Sequence, residues 1–206
     1  MAERVHPEDP GFRHQWKLSL RRGFFPWLKR IRSPYRDAFR WRYGLVARAC
    51  KGKDVLDIPC GMGWGTSMLG RSRRLVGVDL SEEAIREARQ RYGGVATFLV
   101  GDMGKLDLPS TSFDMVVCLE GIEHVPPDVA RRFLQESRRV LREDGELYMS
   151  SPFCVTGEHS GNPYHIKEYR PEEMHALVQP YFEVVSVLSR PVDNLIVSMF
   201  HLRRRK

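Results

Sequence analysis

The chain has 206 residues, 42% hydrophobic and 29% charged, with a net charge of +7. That length suits one domain with its own core, and the composition excludes a disordered or collagen-like chain. No apolar run approaches the roughly 18–20 residues that cross a bilayer, and no apolar stretch follows the polar N-terminus as a secretory signal would require.

The four cysteines, Cys50, Cys60, Cys118 and Cys154, form no CxxC pair. A reduced, cytoplasmic protein is therefore expected, with Cys60 and Cys118 as buried thiols. Charge is unevenly placed: residues 1–51 carry 13 Lys or Arg against four acids, Arg203–Lys206 add four cations, and the stretch between is net negative. Basic ends around an acidic middle suit docking to an anionic surface, such as lipid headgroups, RNA or a phosphorylated substrate, or serve only solubility.

In chain order, residues 1–32 read as a basic arm. It contains a short amphipathic segment with Phe24, Trp27, Leu28 and Ile31 at helical spacing. Ser33 and Pro34 open a helix whose stripe is Tyr35, Ala38, Phe39, Val46 and Ala49, and Gly52 ends it. Strands and helices then alternate. Strands are expected at Lys53–Ile58, Arg74–Val78, Ala96–Val100, Phe113–Leu119 and Glu146–Ser150. A helix starts at Trp64, and another follows Ser81, with Ala84, Ile85, Ala88 and Tyr92 inward. A third opens at Asp128, with Phe133, Leu134, Ser137, Val140 and Leu141 inward and Gly145 as its stop. Residues 151–170 form a loop, Pro171 begins a short helix, and Phe182–Leu188 and Asn194–Phe200 close the chain as strands. Repeated βα units imply a mostly parallel α/β sheet covered on both faces, with ligands at the carboxyl ends of the strands. The domain spans 33–202, between the arm and the basic tail 203–206.

The first strand runs into Asp57-Ile58-Pro59-Cys60-Gly61-Met62-Gly63-Trp64-Gly65. Glycines there let backbone approach a ligand closely. Asp57 would repel a pyrophosphate and suits an ammonium group instead. The second strand ends at Asp79, an acid placed to accept from ribose hydroxyls. The third leads to Asp102, which can accept from an exocyclic amine. Three acids at three successive strand ends point to one nucleoside-bearing ligand.

The stretch from Asp54 to about Ser151 resembles class I, Rossmann-like, S-adenosylmethionine-dependent methyltransferases. The resemblance implies a three-layer sandwich around a seven-stranded sheet whose last strand is antiparallel. On it, Gly61 and Gly63 wrap the methionine part of S-adenosylmethionine, Asp57 lies beneath its amine and Asp79 holds the ribose. Asp102 with the Met103 amide reads adenine, and Leu80 and Glu120 border the same cleft. Pro59 stands where the family usually has glycine, so one amide donor is missing there.

Strand four delivers Glu120, Glu123 and His124 as an ExxEH cluster, and a second polar cluster runs from Gly157 to Tyr169 and includes His165. A histidine beside a carboxylate is a general-base candidate, so Glu123, His124 and His165 are the expected catalytic residues. The same groups could hold a divalent ion or merely start a helix. ExxEH together with Asn162-Pro163-Tyr164-His165 resembles bacterial polysaccharide and lipopolysaccharide methyltransferases, which implies an O-methylated sugar or other small polar acceptor. ExxEH alone is similar to ubiquinone-pathway O-methyltransferases. Glu120, Glu123, His124 and His165 match the magnesium-holding set of small-RNA 3′-terminal 2′-O-methyltransferases, whose surrounding residues match less well. RNA is thus the alternative acceptor, and a non-catalytic cofactor-binding subunit is a further alternative.

Overall fold

The computed structural model describes residues 34–154, 156–192 and 195–205. The arm 1–32, its amphipathic segment and the Ser33 cap lie outside them. Strands covered on both faces need apolar side chains on both. β1 (Asp54–Asp57) is buried at all four positions, with apolar Val55 and Leu56 between two acids, and β4 (Phe113–Leu119) is apolar and buried at all but Asp114. With β2 (Arg74–Asp79), β3 (Thr97–Val100), β5 (Leu141–Cys154), β6 (Phe182–Val192) and β7 (Leu195–Arg204) they form one sheet in the order β3-β2-β1-β4-β5-β7-β6. Paired neighbours from β3 to β5 run parallel, while β7 is antiparallel to both β5 and β6.

The period of two along each strand sends alternate side chains to two helical layers. On one face, Val55, Met115 and Val117 pack with Tyr43 and Val46 of α1 (Pro34–Ala49) and with Ile85 and Ala88 of α3 (Glu82–Tyr92). On the other, Leu56, Val116 and Leu147 pack with Phe133 and Leu134 of α4 (Pro127–Val140) and with Met174 and Val178 of α5 (Pro171–Val178). This is the three-layer α/β sandwich expected. Ser81 caps α3 as its sequence suggests, its hydroxyl accepting from the Ala84 amide at 3.2 Å.

Three boundaries differ from the sequence reading. α4 stops at Val140 rather than at Gly145. Leu141 turns extended and pairs with Phe113, after which the register jumps to Met115 opposite Glu146. Arg142 binds Asp54 and Asp114 across the sheet edge, which holds this bulge in place. β5 continues to Cys154 because β7 lies beside it from Glu146 onward. The β6–β7 pair is also longer than expected. Its far end, Val192 and Val197, packs on Ala38 and Trp41 of α1, while at the other end Arg203 and Arg204 are strand residues. A fourth difference is the short α2 (Trp64–Ser67), one turn after the glycine loop. No helix among the described residues is long and apolar enough to cross a membrane.

The chain runs outward from β1 through β2 to β3, then returns past β1 to place β4 on its other side, so the strand order reverses between β1 and β4. The carboxyl ends of β1 and β4 therefore frame a crevice.

Candidate active site

The floor of the crevice is Asp57 at the end of β1, fully buried. Its carboxylate accepts from the Thr66 hydroxyl at 2.6 Å and from the Tyr43 hydroxyl at 3.3 and 3.4 Å. Burial pushes its carboxyl up to about 7, although Thr66 and Tyr43 work the other way. Tyr43 comes from α1, and its ring crosses Gly65 so closely that a Cβ there would sit 2.1 Å from a ring carbon. Gly63 adopts a left-handed φ of 80° and lies against Phe98. Glycine is thus required at both positions, one for conformation and both for space.

The loop between β1 and α2 is tied to both neighbouring strands: Ile58 N–H donates to Val117 and Cys60 N–H to Val78. The Ile58–Pro59 peptide is cis, and the proline ring lies against Gly121, just past β4. Asp79 closes the loop from the β2 side. One of its oxygens accepts from Gly61 N–H and the other from Ser81 N–H, both at 2.9 Å. Asp79 therefore shapes the glycine loop. Leu80 beside it is 70% exposed, an apolar side chain presented at a polar edge. Asp102 follows β3, is exposed, and accepts from Gly104 N–H at 2.8 Å; the neighbouring Met103 is buried.

The residues after β4 do not behave alike. Glu120 has a φ of 53°, strained for a residue with a Cβ. Its side chain turns to Ser150, whose hydroxyl donates at 2.8 Å, and to Arg42, 3.6 Å away. Glu123 sits in a 3-10 turn over Ile122–His124 and is fully buried, with no hydrogen bond to either carboxylate oxygen. Burial, and then the nearby Glu120 charge, raise its carboxyl well above the usual range. Arg42 and Ser151 oppose that shift without closing a hydrogen bond. The expectation that these acids and His124 start a helix fails: Val125 is extended and α4 begins only at Pro127.

The loop after β5 folds back onto this turn. Ile166 and Lys167 N–H both donate to the Glu123 carbonyl, at 2.7 and 3.1 Å, and the Tyr164 carbonyl accepts from His124 Nδ1–H at 2.9 Å. The imidazoles of His124 and His165 meet edge to face, 5.1 Å apart. One ligand atom from each of Glu123, His124 and His165 lies within 4.8 Å of the others, and Glu120 stands apart from that group. His165 Nδ1 donates to Glu168 at 2.6 Å, and Asn162 Nδ2 faces its Nε2 at 3.0 Å. Burial alone would raise Glu168, but hydrogen bonds from Ser160 and His165 hold its carboxyl below the usual range. Beside this strap lies a recess of about 330 Å³, lined by Phe153, His159, Lys167, Glu168 and Arg170 among others.

Four contributors were not singled out from the sequence. Arg42 and Tyr43 reach the crevice from α1, where a polar pair interrupts the buried stripe. Thr66 and Glu168 hold Asp57 and His165 respectively, each through one short hydrogen bond.

Residues 55–145 match a family model described as a methyltransferase domain. A probable S-adenosylmethionine-dependent methyltransferase of Mycolicibacterium smegmatis is 34% identical over 152 residues, covering 71% of this chain and 58% of that protein. A ubiquinone biosynthesis O-methyltransferase of Glaesserella parasuis is 33% identical over 109 residues, covering 48% of this chain and 45% of that protein. The chain spans about half the length of the curated relatives it matches. Among solved structures, the N-methyltransferase NodS from Bradyrhizobium japonicum, in complex with S-adenosyl-L-homocysteine, superposes with a TM-score of 0.71 at 18% identity. That match covers 94% of this chain and 98% of NodS.

Proposed function

We propose that this chain, whose fold is that of the Rossmann-like class I methyltransferases, transfers a methyl group from S-adenosylmethionine to a hydroxyl oxygen of a polar acceptor. The observation that carries the cofactor reading is the Gly61–Asp79 hydrogen bond, which joins the glycine loop to the acid at the end of β2. Asp57 offers its charge to the amine and Asp79 its free lone pairs to the ribose. Leu80 would pack on the adenine and Asp102 would accept from its amine. Arg42 supplies the cation that the methionine carboxylate needs.

When bound, the sulfonium supplies the methyl: a C–O bond forms as the C–S bond breaks, sulfur keeps the electron pair, and the hydroxyl proton leaves. Glu123, His124 and His165 form the proton-accepting group at the crevice rim, and Glu168 positions His165. The recess beside Glu168 is lined mostly by charged and imidazole side chains, with Phe153 and Ile166 as its apolar members, which favours a sugar, glycan or similar polar acceptor over an acyl chain. That choice agrees with the resemblance to polysaccharide and lipopolysaccharide enzymes. The basic ends would bring the protein to an anionic surface carrying such acceptors.

Labelled S-adenosylmethionine offered with sugar, phenol, fatty-acid and RNA 3′-end acceptors tests this reading. Methylation of sugar hydroxyls above the others is the expected result. Transfer to RNA ends alone, or no transfer at all while cofactor binds, would overturn it. Deleting residues 1–32 should leave cofactor affinity unchanged and reduce binding to anionic vesicles at low salt.

A further inference from the structure

We propose that Glu123, His124 and His165 form a binding site for one borderline divalent transition ion such as Zn²⁺, rather than for magnesium. Its role in methyl transfer rests on the function proposed above, but the binding itself does not.

The starting point is the Glu123 side chain. It is fully buried, and neither oxygen has a hydrogen-bond partner. A carboxyl group in that state is costly, and native structures supply a partner for such groups. Two imidazoles converge on it. His124 Nε2 lies 3.9 Å from Glu123 Oε1, and the three residues bring one donor atom each within 4.8 Å of the others.

The second observation is how the imidazoles are held. His124 gives its Nδ1–H to the Tyr164 carbonyl and His165 gives its Nδ1–H to Glu168. Metal-ligating histidines are oriented in this way: one ring nitrogen donates to a carbonyl or carboxylate, which fixes the tautomer and makes the other nitrogen a better ligand. The Asn162 amide faces His165 Nε2, and its orientation is set because its oxygen accepts from Tyr164 N–H at 3.0 Å. An ion taking that nitrogen would displace one neutral hydrogen bond. The loop is pinned at the Glu123 carbonyl by two backbone amides, so the three donors are assembled before any ion arrives.

Donor chemistry selects the ion. Two imidazole nitrogens and one carboxylate suit zinc, iron or cobalt, whereas magnesium prefers an all-oxygen octahedral shell. Glu120, the further oxygen donor in the magnesium-type set, is turned to Ser150 and Arg42 instead. Three protein ligands leave a position open, as in catalytic zinc sites. An acceptor hydroxyl in that position would lose its proton more readily, so with the ion bound these three residues promote proton loss through the ion, the proton passing to solvent, instead of accepting it themselves.

The test uses tag-free full-length protein, stripped with chelator. Co²⁺ is titrated and followed by its visible absorption, with Zn²⁺ and Mg²⁺ as competitors and S-adenosylhomocysteine affinity measured in parallel. The expected result is one Co²⁺ per chain, displaced by Zn²⁺ but not by Mg²⁺. Glu123→Gln and His124→Ala should each weaken the ion by at least about tenfold, with S-adenosylhomocysteine affinity retained as proof of fold. Stripped protein that binds S-adenosylhomocysteine but no stoichiometric Co²⁺ would overturn the site, as would equal Co²⁺ affinity in wild type and both variants. Stoichiometric Co²⁺ binding without methyl transfer to any hydroxyl would support the site while removing the function proposed above.

Discussion

Asp57 and Arg42 carry the sharpest consequences at the scale of single residues. A carboxylic acid whose folded value is raised to about 7 binds its proton more tightly folded than unfolded. Its stabilising contribution is complete below the unfolded value near 4 and is lost as pH rises toward 7. At about 1.4 kcal/mol per tenfold change, the ligand-free protein loses on the order of 4 kcal/mol across that window. An ammonium group beside Asp57 favours the ionised form, so the rise in melting temperature on adding S-adenosylmethionine should be larger at pH 8 than at pH 6. Asp57→Asn should flatten both trends, and a stability profile unchanged by that substitution would contradict the assignment. Arg42 is buried, with its Nε unpartnered and Glu120 3.6 Å away. Removing it in Arg42→Ala should weaken S-adenosylhomocysteine by roughly 1–3 kcal/mol, the scale for a hydrogen bond to a charged group. Calorimetry reads this directly, and unchanged affinity would take Arg42 out of the crevice. Asp57 and Asp79 were legible in the sequence because acids at strand ends have a fixed place in this topology. Arg42 was not, because a cation on a helix gives no sign of which loop it will face.

At the scale of elements, α1 and the glycine loop form one packed unit. Tyr43 crosses Gly65 and reaches Asp57, while Phe39 stacks between Tyr43 and Trp64 at 4.8 and 4.5 Å. Gly65→Ala places a methyl into the Tyr43 ring and should destabilise by roughly 1–3 kcal/mol, the usual cost of overpacking. Gly65→Ala combined with Tyr43→Ala should cost less than the sum of the two single changes, since the clash is then gone. Additive costs in chemical denaturation would show that the two residues do not compete for space. The strands and α3 could be read from period and caps. The end of α4 could not: Leu141 continues the helical stripe in sequence, yet pairing with Phe113 and the Arg142 ion pairs draw it into β5. The same long-range pairing extends β5, β6 and β7 beyond their apolar cores.

Over the whole molecule, the sheet order decides where chemistry can occur. The reversal at β1 and β4 opens one crevice, and the loop after β5 brings His165 onto the turn that holds Glu123 and His124. The meeting of the two polar clusters could be anticipated from the shared sheet edge, but the two backbone hydrogen bonds and the one from the His124 imidazole that dock them arise only in the folded chain. The central claim is that the crevice is built for a nucleoside carrying an amino-acid ammonium, not a dinucleotide pyrophosphate. Calorimetry with S-adenosylhomocysteine and with NAD, on the same full-length protein, tests it most directly. The account predicts one S-adenosylhomocysteine per chain and no measurable heat of binding for NAD, because Asp57 would oppose the pyrophosphate. Binding of NAD in place of S-adenosylhomocysteine would contradict it.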